Sequence, residues 1–311
     1  MAVTTASAAG KVILFGEHAV VYGRPAIAVP VARLRAWASV DDAPPGAGCT
    51  VVAADLNRRL SPADAPPDDP LALIVRLTLA RLGLAAEPDW MITLRSDIPI
   101  ASGLGSGAAV STAIVRALAE HAGRSLLPDV VSALVYETER LHHGTPSGID
   151  NTVVAYEQPV YFVRGQPPQP LRVGGEFWLA IADTGVASPT KLVVEDVRRA
   201  WQADPTRYEA LFDEMGSIAE RARPVIERGQ VSELGPLMDE NQQLLSAIGV
   251  SSPLLEQLCA AARQAGAGGA KLSGAGRGGN AIALVTPETA QGVARALRAA
   301  GAVRVVISQV V

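Results

Sequence analysis

The stretch Ile98-Pro99-Ile100-Ala101-Ser102-Gly103-Leu104-Gly105-Ser106-Gly107-Ala108-Ala109 constrains this chain more than any other. A strand-like run, Trp90 to Arg95, precedes it, and a helix-like run, Ala108 to Leu118, follows. Strand, glycine-serine loop and helix together suit an anion site, and they suit a plain turn before a helix equally well. Glycines let the backbone approach an oxyanion with no Cβ in the way. The helix start presents unpaired N–H groups at the positive end of its dipole. Phosphate is the natural guest. The loop is not a Walker A sequence, because no Gly-Lys-Ser/Thr follows. It is not the dinucleotide fingerprint either, because Gly103, Gly105 and Gly107 have the wrong third spacing.

The kind of phosphate is limited by charge. The 311 residues carry a net charge of −4, which leaves no electrostatic case for a nucleic-acid surface. A small phosphorylated ligand held by local groups remains. Cys49 and Cys259 are far apart and fit no metal spacing; they read as reduced, packed thiols. No apolar run reaches the ~18 residues of a membrane span, and the first residues lack the basic start of a signal peptide. A soluble cytoplasmic protein is expected, of two domains or one large one.

Upstream of the loop, Gly10-Lys11-Val12-Ile13-Leu14-Phe15-Gly16-Glu17-His18-Ala19-Val20-Val21-Tyr22-Gly23 reads as a buried strand and a turn. Ala26 to Val40 follows as a second strand in an antiparallel pair. Lys11 fits a solvated strand end as well as a functional cation. Glu17 and His18 are open in the same way, since a histidine beside an apolar run is commonly structural. Asp41 to Asp69 is an aperiodic excursion with a short hairpin near Cys49 to Ala54. Pro70 to Leu84 and Pro128 to His142 have helical apolar spacing. Glu137 and Glu139, two apart, cannot share a helix face. His143 to Asn151 reads as a turn ending in Asp150, which on residue type alone suits an Asx-turn, and Val153 to Tyr156 reads as a strand.

The prolines at 167, 168 and 170 mark a boundary between Gly165 and Gly175. Beyond it a strand is expected at Phe177 to Asp183. Ser188-Pro189-Thr190 looks like a helix start, with Pro near the first position and Thr able to cap. Helices are expected from about Lys191, Pro205, Val231 and Pro253. Strands at Ala270 to Ser273 and Asn280 to Val285 flank a second glycine loop, Gly274-Ala275-Gly276-Arg277-Gly278-Gly279. A helix (Pro287 to Ala300) and a strand (Val303 to Val310) complete an α+β layer with an antiparallel sheet.

Four ordered segments, Lys11 to Tyr22, Pro99 to Ala109, Pro146 to Asn151 and Lys271 to Gly279, together resemble the motifs of the GHMP small-molecule kinases, most closely those of the mevalonate kinase family. The resemblance implies a two-domain α+β fold with the nucleotide in a cleft between the domains. Residues 1–168 would form a ribosomal protein S5 domain 2-like domain, and 169–311 a ferredoxin-like α/β sandwich. It implies ATP- and Mg²⁺-dependent phosphorylation of the C5 hydroxyl of mevalonate. Asp150 falls at the catalytic aspartate, and Lys11 at the lysine that approaches it. Pro99, Ala101, Ser102, Gly103, Leu104, Gly105, Ser106, Gly107 and Ala108 fall on the nucleotide loop. Glu139 matches the magnesium-binding glutamate, which separates it from Glu137 by resemblance rather than by helix geometry. Glu17, His18, Ser147, Gly274 and Ala275 fall at substrate contacts. A homodimer is what many relatives suggest.

The residue types suit that chemistry. Phosphoryl transfer needs positioning and charge neutralisation more than covalent help, and Mg²⁺ prefers hard oxygen ligands. Asp150 fits a general base and equally an orienter of the alcohol, with Lys11 stabilising the alkoxide. Three positions depart from the family pattern. Gly107 stands where a magnesium-binding serine is usual, which passes that role to Ser106 or a water. Arg277 replaces a glycine and is able to reach a phosphate or carboxylate, or solvent. Ala9 replaces a common proline. Phosphomevalonate kinase, homoserine kinase and a non-catalytic metabolite sensor share the loops. The stretch from Gly16 to Tyr22 argues against the first two, and the presence of Lys11, Glu139 and Asp150 against the third.

Overall fold

The computed structural model describes residues 3–99, 102–143 and 146–311. The chain divides into two compact units, each built from separated segments. The first takes the chain up to Gly10, Leu34–Pro99 and Gly105–Glu157; the second takes Lys11–Arg33, the loop up to Leu104, and Gln158–Val311. Strands β1 (Thr4–Phe15) and β2 (Ala26–Asp42) pair and supply residues to both. The burial pattern of β2 changes where the unit changes. Ala26 to Val29 are wholly buried, whereas from Leu34 onward Leu34, Ala36, Ala38 and Val40 are buried and alternate with more exposed neighbours. That is the signature of a strand covered on one face.

In the first unit, β3 (Thr50–Ala53) and β4 (Arg58–Leu60) form the expected antiparallel hairpin. β3 also runs parallel to β5 (Trp90–Ser96), which pairs antiparallel with β2. Among the described residues, four helices belong to this unit: α1 (Pro70–Leu82), α2 (Ser106–His121), α3 (Pro128–His143) and α4 (Ile149–Tyr156). α1 starts where its sequence says it should. The Asp69 carboxylate accepts the N–H groups of Leu71 and Ala72, each at 3.0 Å, and Pro70 occupies the first turn. Ile74, Leu79, Leu82, Ile92 and Ile114 fill the core.

The second unit holds the first half of β2 with β6 (Val160–Phe162) and β7 (Gln169–Pro170), and a separate four-stranded sheet. That sheet contains β8 (Phe177–Asp183), β9 (Gly269–Ser273), β10 (Asn280–Val285) and β11 (Arg304–Val310), in the order β11-β8-β10-β9 and antiparallel throughout. Helices α5 (Thr190–Ala203), α6 (Pro205–Arg228), α7 (Leu234–Ala247), α8 (Pro253–Gln264) and α9 (Ala290–Ala299) complete it, and the strand-and-helix layer is the α+β arrangement expected. Among the described residues, no helix is long and apolar enough to cross a membrane.

The structure overturns one expectation that matters for the site. Val153 to Tyr156 is not a strand; it is the body of α4, which begins at Ile149. The β-branched residues there suggest a strand, but Ile149, Val153, Val154 and Ala155 are all buried, and α4 packs on α2 and α3. Tertiary burial outweighs a propensity difference of about half a kcal/mol per residue. Asp150 therefore lies in the first turn of a helix. Three boundaries also shift. α5 starts at Thr190 with Pro189 as its N-cap, so Thr190 does not cap. A three-residue 3-10 turn, Val231–Glu233, precedes α7. α9 begins at Ala290, because Thr286 and Thr289 close a hydrogen-bonded turn on one another.

Candidate functional site

The chemistry-bearing residues of the first unit gather on its helices. The N-cap of α2 is Gly105, in the left-handed conformation at φ +74° with no side chain to offer, so the first N–H groups of α2 are left for another acceptor. Ser106 is half-buried and Gly107 exposed in the first turn, and Ala108 is buried behind them. A Cβ built on Gly107 would meet Glu139 Oε1 at 3.4 Å, so the α3 carboxylate faces the opening of α2. Glu139 is buried, whereas Glu137 points to the surface and pairs with Arg140 at 3.1 Å. Helix geometry thus separates the two glutamates. Ser111 of α2 and Thr138 of α3 meet at 3.3 Å and hold the two helices together at this level.

Asp150 is half-buried in the first turn of α4, behind Gly148 at φ +92°. Its neighbours hold the helix in place. Asn151 donates to the carbonyl (3.1 Å) and hydroxyl (2.9 Å) of Ser132 on α3, and Thr152 donates to the Gly148 carbonyl at 2.6 Å. The Ser147 hydroxyl accepts the N–H of Ile149 at 3.4 Å and so caps the turn. Pro99, half-buried, ends the strand side of the loop. Ala101 lies outside the described residues.

The second unit holds the rest of the loop and the stretch from Lys11 to Tyr22. Lys11 is no solvated strand end: it is 3% exposed, its Nζ donates to the Gly103 carbonyl at 3.0 Å, and its N–H donates to the Leu104 carbonyl at 2.9 Å. Asn280, buried at the start of β10, donates to the Ser102 carbonyl. Ser102, Gly103 and Leu104 are therefore held through their carbonyls, which leaves their N–H groups uncommitted to these contacts.

Glu17 forms a buried ion pair with Lys271 of β9, and Lys271 also donates to the Leu272 carbonyl at 2.7 Å. Burial pushes the Glu17 carboxyl up from its ordinary range and the Lys271 ammonium down, and each is drawn back by the charge of the other. Removing either partner would leave an uncompensated buried charge, at a cost of about 3–5 kcal/mol. His18 is buried and strained at φ +60°. Its Nε2–H donates to the Ala275 carbonyl at 2.9 Å. Burial drives its pKa down to about 4; the carbonyl opposes that drop and the charge of Arg277 adds to it. His18 is a neutral hydrogen-bond donor at pH 7.

The second glycine loop joins β9 to β10, with Gly274 and Ala275 half-buried. Arg277, at φ +55°, turns its guanidinium onto the Asp196 carboxylate of α5 and onto the Gly249 carbonyl. Of the destinations open to it in the sequence, it takes a carboxylate of the protein itself. Lys271 is the residue that sequence reasoning passed over. Its only signal was a lysine inside an apolar strand, and its partner lies 254 positions away.

The donor set around Glu139 is compatible with a hard cation that keeps most of its other ligands from outside the protein. Among the described residues, no group of three or more His, Cys, Asp or Glu stands together. A single buried carboxylate, Glu139, faces the exposed first turn of α2 with its Ser106 hydroxyl. Mg²⁺ binds in that manner, through one or two protein oxygens plus substrate phosphates and water.

Comparison with known proteins agrees with this geometry. Residues 71–158 match the model of the GHMP kinases N terminal domain, and residues 222–303 that of the GHMP kinases C terminal domain. The chain is 35% identical to a mevalonate kinase of Thermococcus sibiricus, over 97% of this chain and 94% of the relative. It is likewise 35% identical to a mevalonate kinase of Aeropyrum pernix, over 90% and 87%. Among solved structures, L. major mevalonate kinase in complex with R-mevalonate superposes with a TM-score of 0.86 at 30% identity, covering 98% of this chain and 95% of that one.

Proposed function

Because the chain belongs to the mevalonate kinase family of the GHMP kinases, we propose that it transfers the γ-phosphoryl group of ATP to the C5 hydroxyl of mevalonate. The observation that carries this reading is the opening of α2. A helix N-terminus capped only by glycine faces a buried carboxylate, and that combination suits a nucleotide phosphate chain together with its counter-ion.

In this reading each site residue has a role that its surroundings support. The N–H groups from Ser102 to Ala108 cradle phosphate oxygens, while the lysine and asparagine contacts to the Ser102–Leu104 carbonyls keep those groups pointing outward. Glu139 and Ser106 hold Mg²⁺, whose contribution when bound is to neutralise charge on the phosphates. Asp150 takes or orients the proton of the acceptor hydroxyl, and the Lys11 ammonium stabilises the developing alkoxide. Neutral His18, Glu17, Ser147, Gly274 and Ala275 shape the acceptor pocket. The domain boundary of this reading lies at 168/169, between the two matched segments. The site of action is cytoplasmic.

A coupled ADP-release assay with Mg-ATP across mevalonate, phosphomevalonate, homoserine and galactose tests the reading. Release with mevalonate alone is the expected result. Release with another acceptor keeps the phosphate loop and overturns the pocket assigned to Glu17 and His18. ATP binding without release for any acceptor overturns the kinase reading.

A further inference from the structure

Glu157 ends α4 in a position that local energetics disfavours twice. Its backbone is left-handed at φ +51°, where glycine is the ordinary occupant. Its carboxylate also stands at the negative end of the helix dipole. Strain of this sort persists where the surroundings over-determine it, and here they do. The carboxylate accepts the N–H of Ala9 at 2.9 Å, Arg35 Nη2 at 2.6 Å and Arg116 Nη1 at 3.0 Å. Arg116 donates further to the Ser7 and Ala155 carbonyls, each at 2.9 Å, and Arg35 Nε to the Ser7 hydroxyl at 3.1 Å. The Ala155 contact satisfies a carbonyl of the last turn of α4 and offsets the dipole. One carboxylate, about 29% exposed, thus ties together four elements: β1 at Ser7 to Ala9, β2 at Arg35, α2 at Arg116 and the end of α4.

Two of those elements carry the chemistry of the proposed site. α2 opens with the Ser106-Gly107 turn, and α4 carries Asp150 in its first turn. The β1 segment stops one residue before Gly10-Lys11 in the chain. We infer that Glu157 is a positioning residue, whose carboxylate fixes α4, and with it Asp150, against α2 and its phosphate-binding turn. Helices move as rods, so slackening the clamp at one end shifts the functional end. Displacements of about 1 Å cost about a hundredfold in rate when geometry carries the catalysis. This inference rests on the roles given above to Asp150 and to the α2 turn.

The test compares wild type, Glu157→Gln, Glu157→Gly and Arg116→Met in the ADP-release assay, alongside melting curves. Glu157→Gln keeps the shape and an acceptor for the Ala9 N–H but loses the charge. Its kcat is expected to fall about tenfold while KM for ATP and for acceptor stays within about twofold, because positioning acts on the transition state. Glu157→Gly relieves the left-handed strain and so keeps the fold, yet its kcat falls at least as far. Arg116→Met lowers kcat in the same manner, and combining it with Glu157→Gln adds less than the sum of the two, as expected for partners in one network. Wild-type kcat in folded Glu157→Gln and Glu157→Gly overturns the inference, as does a loss that merely tracks the unfolded fraction. A wild type inactive with every acceptor overturns the kinase reading and this inference with it, whereas an active wild type beside unaffected variants overturns this inference alone.

Discussion

The two glycine-rich loops look alike in sequence and differ in the room that the fold leaves around their glycines. In the first, glycine leaves room. A Cβ at Gly103 would come no closer than 3.9 Å to Asn280 Nδ2, and one at Gly107 would sit at 3.4 Å from Glu139. In the second, Gly274 has open space around it, but Gly276 and Gly278 stand where the protein already fills the space. A Cβ at Gly276 would lie 2.1 Å from the Val250 carbonyl oxygen, and one at Gly278 would lie 2.6 Å from that of Val186. The backbone beside them is committed as well: Arg277 N–H donates to Val250 O and Gly279 N–H to Val186 O, both at 2.8 Å. The first loop is proposed to keep its N–H groups for a guest, whereas the Gly276–Gly279 part of the second uses its backbone to close the fold. Activity and stability should therefore come apart when each is altered.

The largest separation is expected at Asp150, in the first turn of α4. Asp150→Asn keeps the size of the side chain and leaves the Asn151–Ser132 and Thr152–Gly148 bonds that hold α4 intact. Turnover should fall about 10³-fold, with the melting temperature moved by less than about 2 °C and ATP binding retained. Turnover near that of wild type would remove Asp150 from the chemistry. A collapse in melting temperature would make it a residue of the fold and break the contrast.

Gly276→Ala should do the reverse. The methyl group would drive into the Val250 carbonyl, on a residue already at φ +85°, and the Arg277 N–H bond to that carbonyl would be lost with it. Overpacking against backbone and left-handed strain together cost about 3 kcal/mol. Denaturant titration should show that loss, and any variant protein that remains folded should keep much of its turnover. Unchanged stability would mean that the second loop has the same freedom as the first.

Much of this contrast was out of reach of sequence reading. Local pattern located both loops, the helix after the first and the hairpin around the second, because glycine spacing and apolar period are local signals. It could not tell a glycine kept for a ligand from one kept for a close-packed carbonyl, since Val250 and Val186 enter only through tertiary contact. Asp150 was placed at the end of a turn before a strand, because Val153 and Val154 favour strands locally; burial against α2 and α3 makes that segment a helix. The resemblance favours Glu139 over Glu137, but a physical reason for the choice needs the other helix, because a spacing of two says only that they diverge. Lys271 and Glu157 were silent for the same reason: their partners, Glu17 in one case and Ala9, Arg35 and Arg116 in the other, are remote in the chain.

His18 links the Lys11–Tyr22 stretch to the second loop through the Ala275 carbonyl, and it offers a pH probe of that contact. Above pH 6.5 the imidazole is neutral in both folded and unfolded chains. Between pH 6.5 and about 4, only the unfolded chain takes up the proton, so stability falls as pH falls; below about 4 both states are protonated and the dependence ends. At pH 5 the loss from this one group is about 2 kcal/mol. Asparagine tolerates the left-handed backbone of position 18 and does not titrate. His18→Asn should therefore flatten the stability profile between pH 6.5 and 4.5 by close to one proton. An acid limb as steep as that of wild type would show that His18 is not held neutral by its burial.

The smallest effect is expected at Gly107, where the contrast is most finely drawn. Its backbone is not left-handed, its Cβ position is in ordinary contact distance of Glu139 Oε1, and it is exposed. Nothing in the fold asks for glycine there. Gly107→Ser should shift the melting temperature by no more than about 2 °C, in keeping with a surface substitution. The new hydroxyl would stand beside the Glu139 carboxylate and add a hard oxygen where Mg²⁺ is proposed to bind. The Mg²⁺ concentration for half-maximal turnover should stay the same or fall about twofold, a change worth less than about half a kcal/mol. A strong rise in that concentration with the fold intact would mean that the α2 turn and Glu139 do not share a cation. The room left at Gly107 would then belong to the phosphates alone, and the magnesium role given to Ser106 and Glu139 would have to be withdrawn.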